Sequence, residues 1–157
     1  MAKTKLSTSE SQTRQLAKEI LEKRTNYLKE GAILFALEGD LGAGKTTFAK
    51  GVGEHLGIKK PIKSPGYVLV AEYPYDSSTS AGKLFHVDLW RVESVPEAQA
   101  LGIKDLIKPG NVVIVEWAHR VPELIDEICR IKNLKVIRVE IEHKGRKERK
   151  IRYGQIN

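Results

Sequence analysis

The sequence predicts a layered α/β fold: a mostly parallel sheet flanked by helices, with antiparallel hairpin additions. Three observations predict it. AILFALE (32–38) and NVVIVEW (111–117) are near-continuous apolar runs, as expected of strands covered on both faces. Segments with helical periodicity alternate with strand-like ones, the signature of an α/β layer architecture. Toward the end, KVIRVEIEH alternates apolar and polar residues, and HKGRKERKIRYG can turn back beside it as a partner strand.

Each element follows from local chemistry. Ser7-x-x-Glu10 and Ser9-x-x-Gln12 both have capping-box form, so a helix is expected to begin at one of these serines. Leu16, Ile20, Tyr27 and Leu28 share one face of it, and it is expected to stop near Gly31. After strand 32–38 and a loop, Lys45 to Leu56 reads as a second helix, closed by Gly57. In KKPIKSPGYVLVAEYPY the prolines forbid helix, and Tyr67 to Tyr73 reads as extended. DSSTSAG (76–82) has hairpin-loop composition, and LFHVDLW is the returning strand. VPEAQALG is a short helix stopped by Gly102, and KPG at 108–110 is a turn. VPELIDEICRI is amphipathic and opens with a proline suited to a helical first turn.

At 157 residues the chain is expected to form a single domain, 1–157, large enough to bury a real core. Its apolar content of 41% and charged content of 30% place it among ordinary globular proteins. No apolar run approaches the ~18 residues of a membrane span, so no membrane association is expected. MAKTKLSTSE has no apolar core of a secretory signal. The one cysteine, Cys129, has no internal partner, which agrees with a reducing, cytoplasmic setting. A net charge of +7 suggests an acidic partner, whether nucleic acid, nucleotide or acidic protein surface. Composition does not choose among these.

The sharpest motif lies between the first apolar strand and the second helix. Gly39-Asp40-Leu41-Gly42-Ala43-Gly44-Lys45-Thr46, followed by Thr47, satisfies G-x-x-x-x-G-K-[ST]. Glycines let successive backbone N–H groups turn inward, and the new helix aims its positive end at the same spot. Lys45 is placed to reach the β- and γ-phosphates, and the Thr46 hydroxyl to bind Mg²⁺. The expected fold is therefore P-loop NTPase-like, with a nucleotide and Mg²⁺ as expected ligands.

A P-loop hydrolase also needs an acid at a neighbouring strand's carboxyl end. LFHVD ends in Asp88 and NVVIVE in Glu116, both at the edge where open α/β sheets bind ligands. One can attend the metal and the other orient or deprotonate water; the residues alone do not assign the roles.

GDLGAGKTTFAKG, KSPGYVLVAEY, HVDLWR, PE…LGIKDL and VEW together resemble the TsaE (YjeE) ATPases, in order from about residue 7 to 153. The resemblance implies a P-loop protein of tRNA threonylcarbamoyladenosine biosynthesis that binds ATP and Mg²⁺ and hydrolyses ATP slowly alone. It further implies action with the TsaD–TsaB pair, which transfers the threonylcarbamoyl group; tRNA is then met indirectly, through that complex. By this resemblance Lys45 is the P-loop lysine, Thr46 and Glu116 hold Mg²⁺, and Asp88 positions or activates the attacking water. Trp117 stands beside the metal-site glutamate, and Ser64 and Pro65 belong to a switch-like segment facing the γ-phosphate. Thr13 matches a threonine near the nucleotide, and Arg146 an arginine in a C-terminal hairpin that closes over it.

The chain departs from the family pattern at three places. Gly66 replaces the threonine of S-P-T, Trp90 the tyrosine of D-L-Y-R, and Ala118-His119 the usual pair after E-W. Gly66 removes a hydroxyl from the switch-like segment, which also leaves room for a nucleotide-gated binding module with negligible hydrolysis. A small P-loop kinase is the other enzyme reading, although no arginine-rich lid is visible. His55, His86, His119 and His143 lack metal-ligand spacing. His86 shares a strand face with Asp88, which it either supports or merely packs beside. The run Lys144, Arg146, Lys147, Arg149, Lys150, Arg152 is either a solvated hairpin or a patch for tRNA or an acidic partner.

Overall fold

The computed structural model describes residues 1–157. In chain order it contains β1 (Lys3–Ser7), α1 (Glu10–Glu22), β2 (Ala32–Glu38), α2 (Lys45–His55), β3 (Val70–Asp76), β4 (Ala81–Asp88) and α3 (Val95–Ala100). These are followed by β5 (Val112–Glu116), α4 (Pro122–Ile128), β6 (Leu134–His143) and β7 (Arg149–Gln155). The strands form one sheet in the order β1-β7-β6-β2-β5-β4-β3. The inner four, β6-β2-β5-β4, are parallel, while β1, β7 and β3 join antiparallel.

Strand periodicity divides the core into two layers. Ile33, Phe35 and Leu37 of β2 face α1 and α2, whereas Ala32, Leu34 and Ala36 face α3 and α4. All six are fully buried, which accounts for the near-continuous apolar run. Phe35 meets Phe48 of α2 edge-on, with centroids 5.5 Å apart. Burying each ring contributes roughly 1.5–3 kcal/mol, so strand and helix are clamped on either side of the loop between them. Gly51 lets α2 approach α1: a Cβ there would stand 2.4 Å from the Arg14 carbonyl oxygen.

Four elements differ from the sequence expectation. Helix α1 uses Ser9, whose hydroxyl accepts from the Gln12 N–H at 3.1 Å, but it ends at Glu22 rather than near Gly31. There the Arg24 guanidinium and the Thr25 hydroxyl donate to the Ile20 and Leu21 carbonyls, and a 3-10 turn over Thr25–Lys29 follows. The extended segment expected from Tyr67 begins instead at Val70, after a 3-10 turn over Gly66–Val68 and a left-handed Leu69. Helix α4 ends at Ile128, so Cys129 is its cap, partly buried. Strand β1 has no counterpart in the expectation; it exists because β7 offers it an antiparallel edge.

Candidate active site

The loop between β2 and α2 is built to present N–H groups. Gly42 and Gly44 adopt φ of 74° and 114°, a region that disfavours any side chain. With the backbone so turned, the N–H groups of Gly44, Lys45, Thr46 and Thr47 find no acceptor within the protein. These are the orphan donors of a helix start, reinforced by the positive end of α2. Lys45, 5% exposed, folds back to donate to the Gly39 and Asp40 carbonyls at 2.7 and 2.9 Å. Burial pushes its ammonium below the ordinary lysine value, and the attraction of Glu116, Asp88 and Asp40 opposes that. An ammonium held at the cost of desolvation among four idle N–H groups is suited to an anion.

Parallel register brings the two acids to the same height. Asp88 ends β4 beside Glu116 at the end of β5, and Glu116 lies opposite Leu37, just before the glycine loop. Both side chains, and that of His86, project toward the α2 layer, since Leu84 and Ile114 on the same strand faces belong to it. Their partners differ. Asp88 accepts from the Ser64 hydroxyl at 3.2 Å and from the Trp90 N–H at 2.9 Å. Glu116 accepts from His86 Nε2 at 2.8 Å and from the Thr46 hydroxyl at 3.4 Å. Of the two roles left open for His86, support of Asp88 and mere packing, the structure shows neither: it pairs with Glu116 on the next strand.

Trp117 follows Glu116 in a left-handed conformation, φ 61°, with its N–H on the Leu37 carbonyl. That turn lays its indole under the Lys45 ammonium, 4.2 Å from the ring centre, and against Trp90 at 4.4 Å. The Trp90 ring thus extends an aromatic wall from the lysine toward solvent, where the Arg120 guanidinium stacks at 5.7 Å.

Around these groups lies a cleft of about 490 Å³, lined by Leu41, Gly42, Gly44, Lys45, Thr46, Thr47, Ser64, Asp88, Glu116 and Trp117 among others. A second cavity of about 430 Å³ adjoins it across the loop, sharing Gly42, Gly44 and Thr47 and adding Thr13, Ala43 and Arg146. The sequence-predicted site residues therefore border one of the two cavities, except Pro65, between the lining Ser64 and Gly66, and Gly39 and Asp40, whose carbonyls hold Lys45. Thr13 is buried, its hydroxyl 2.7 Å from that of Ser7, so it closes the cavity wall.

Two features escaped the sequence reading. Arg149 reaches from β7 to the glycine loop, its Nε donating to the Ala43 carbonyl at 2.8 Å and Nη2 to that of Gly42 at 3.5 Å. Within a basic run nothing marks this arginine from its neighbours. Arg91 lines the cleft with its guanidinium stacked 3.9 Å over the exposed Tyr67 ring. The remaining basic run is largely balanced: Arg152 and Lys150 stand opposite Glu140 and Glu142 in the β6–β7 register, and Lys144 pairs with Glu142 at 3.0 Å.

The glycine loop between an apolar strand and a helix, facing Asp88 and Glu116, coincides with a family match across the chain. The model of the threonylcarbamoyl adenosine biosynthesis protein TsaE matches residues 7–151. The chain belongs to the TsaE family. It is 36% identical to the tRNA threonylcarbamoyladenosine biosynthesis protein TsaE of Bacillus subtilis, over 88% of this chain and 79% of that one. It is likewise 36% identical to the TsaE of Aquifex aeolicus, over 92% of this chain and 90% of that one. Among solved structures, YdiB of Bacillus subtilis superposes with a TM-score of 0.64 at 26% identity, covering all of this chain and 87% of that one. The TsaE match includes Ser64-Pro65-Gly66 and Trp90, so the departures at Gly66 and Trp90 lie inside the family's fold. No helix of the chain is long and apolar enough to cross a membrane.

Proposed function

We propose that this chain is the ATPase subunit of the tRNA threonylcarbamoyladenosine machinery, binding Mg²⁺-ATP and coupling its hydrolysis to turnover of the TsaD–TsaB transferase. The single observation that carries the reading is the set of four partnerless N–H groups and the buried Lys45 facing two register-matched carboxylates. Family membership supports the tRNA-modification context.

The donor set fits Mg²⁺. A hydroxyl and a carboxylate, Thr46 and Glu116, are hard oxygen ligands, and no group of three or more His, Cys, Asp or Glu competes as a protein-only metal cage. Mg²⁺ takes few protein ligands and completes its shell with phosphate oxygens and water. Held there, it would neutralise charge on the bound phosphates.

The chain's own residues divide the rest of the work. The amides of Gly44 to Thr47 and the Lys45 ammonium bind the phosphates, Lys45 exchanging the Gly39 and Asp40 carbonyls for phosphate oxygens. Asp88 is the acid nearer the switch-like segment, through Ser64, and orients the attacking water or takes its proton. Gly66 has no hydroxyl to offer, but its N–H remains unpaired beside the cleft. Arg146 and Thr13 border the second cavity, which takes the nucleoside end.

Measuring inorganic phosphate release with and without TsaD and TsaB tests this reading. Hydrolysis that is slow alone and rises with the partners is the expected result. Phosphate appearing on an added acceptor would indicate a kinase, and no stimulation at saturating partner would leave a nucleotide-gated binding module.

A further inference from the structure

Given Mg²⁺-dependent nucleotide binding at the glycine loop, we infer that His86 is a positioning residue for the metal site. It fixes the Glu116 carboxylate so that Thr46 presents its lone pairs, and Glu116 its second oxygen, to the phosphate cleft.

His86 is fully buried in β4, flanked in register by Ala71 and Ile114. Its Nε2 stands 2.8 Å from Glu116 Oε1. A carboxylate only accepts, so the hydrogen sits on Nε2. The other ring nitrogen, Nδ1, has no partner. An unsatisfied buried polar atom costs roughly 1–3 kcal/mol, and a leucine on this apolar strand would avoid it. A histidine here therefore serves its one polar contact, and that contact is Glu116.

Glu116 needs the contact. Its side chain is only 5% exposed, and a buried carboxylate without donors is strongly unfavourable. The two donors it has, His86 Nε2 and the Thr46 hydroxyl, converge on Oε1, and Oε2 receives no donor from the protein. Two consequences follow for the cleft. The Thr46 hydrogen is spent on Oε1, which turns the oxygen's lone pairs away from Glu116. Oε2 stays available to a cation or its water. An outer donor that orients a metal-site carboxylate typically changes metal affinity by about 10–100-fold when removed.

The test measures binding of mant-ADP as a function of free Mg²⁺, with a parallel titration in EDTA, for wild type, His86→Leu, His86→Gln and His86→Asn. Gln places an amide N–H near the position of Nε2; Asn places it near Nδ1. His86→Leu is expected to raise the Mg²⁺ needed for half-maximal binding about 10–100-fold, with binding in EDTA unchanged. His86→Gln should recover most of the shift and His86→Asn little of it. The Gln–Asn comparison stands even where the leucine variant folds poorly, because both retain a polar amide. Equal Mg²⁺ dependence in wild type and His86→Leu, or in Gln and Asn, overturns the inference. A wild type with no Mg²⁺ dependence would overturn the nucleotide-site reading itself, and this inference with it.

Discussion

Asp88 and Glu116 are register partners at the ends of adjacent parallel strands, yet they share no hydrogen-bond donor. Asp88 is tied to the switch-like segment by Ser64, and Glu116 to the glycine loop by Thr46. Separate attachments imply separate failures. Glu116→Ala should weaken Mg²⁺-dependent nucleotide binding about 10–100-fold. Asp88→Ala should leave binding nearly intact and cut turnover by about 10²-fold or more. Equilibrium binding and single-turnover hydrolysis measured on both variants check this; identical profiles would contradict the division.

In the proposed reading, phosphate binding depends on Lys45, the buried cation beside the glycine loop. Each charge-assisted hydrogen bond it gives is worth about 1.5–3 kcal/mol, so losing two of them costs about 10²-fold or more in affinity. Lys45→Ala should therefore abolish nucleotide binding at ordinary concentrations while the fold persists. Calorimetric titration with ATP decides it, and unchanged affinity would contradict the phosphate-loop assignment.

Arg149 holds the outward carbonyls of the loop whose amides face inward. Removing it frees the Ala43 and Gly42 carbonyls and leaves the N–H groups of Gly44 to Thr47 in place. Arg149→Ala is expected to weaken nucleotide binding about tenfold, the low end for a charged hydrogen bond because the guanidinium is partly exposed. A titration in parallel with Lys150→Ala, an exposed neighbour, provides the control; equal affinities would contradict the tether.

The two kinds of information in the sequence explain what could be read from it. The glycine loop, the apolar strands and both acids are local patterns, so β2, α2, β5, Lys45, Asp88 and Glu116 were legible. Long-range pairings were not. That His86 reaches Glu116 depends on β4 lying beside β5, thirty residues apart in the chain. That Arg149 reaches Ala43 spans 106 residues. Strand β1 is short and basic, and only its partner β7 makes it a strand. The turn at Gly66–Val68 takes the first residues of the expected strand because positive φ at Gly66 and Leu69 redirects the chain beside Asp88, whose N–H donates to the Leu69 carbonyl.

His55, at the last turn of α2, gives the fold a pH signature away from the cleft. Burial holds its imidazole below the ordinary value of 6.5; Glu22 opposes this and Lys18 adds to it. The unfolded chain thus binds more protons there than the folded one. Its stabilising contribution is fully present above about pH 6.5 and is lost as pH falls through the depressed folded value. His55→Gln should flatten the fall in melting temperature below about pH 6.5. Thermal melts from neutral to acid pH check it, and an unchanged slope would contradict the assignment.

The most direct test of the coupled-ATPase account is reconstitution of the tRNA modification with TsaD and TsaB, with and without this chain, under single- and multiple-turnover conditions. The account predicts that one round proceeds without the chain, and that continued rounds require it together with hydrolysable ATP. Equal multiple-turnover rates in its presence and absence would contradict the account.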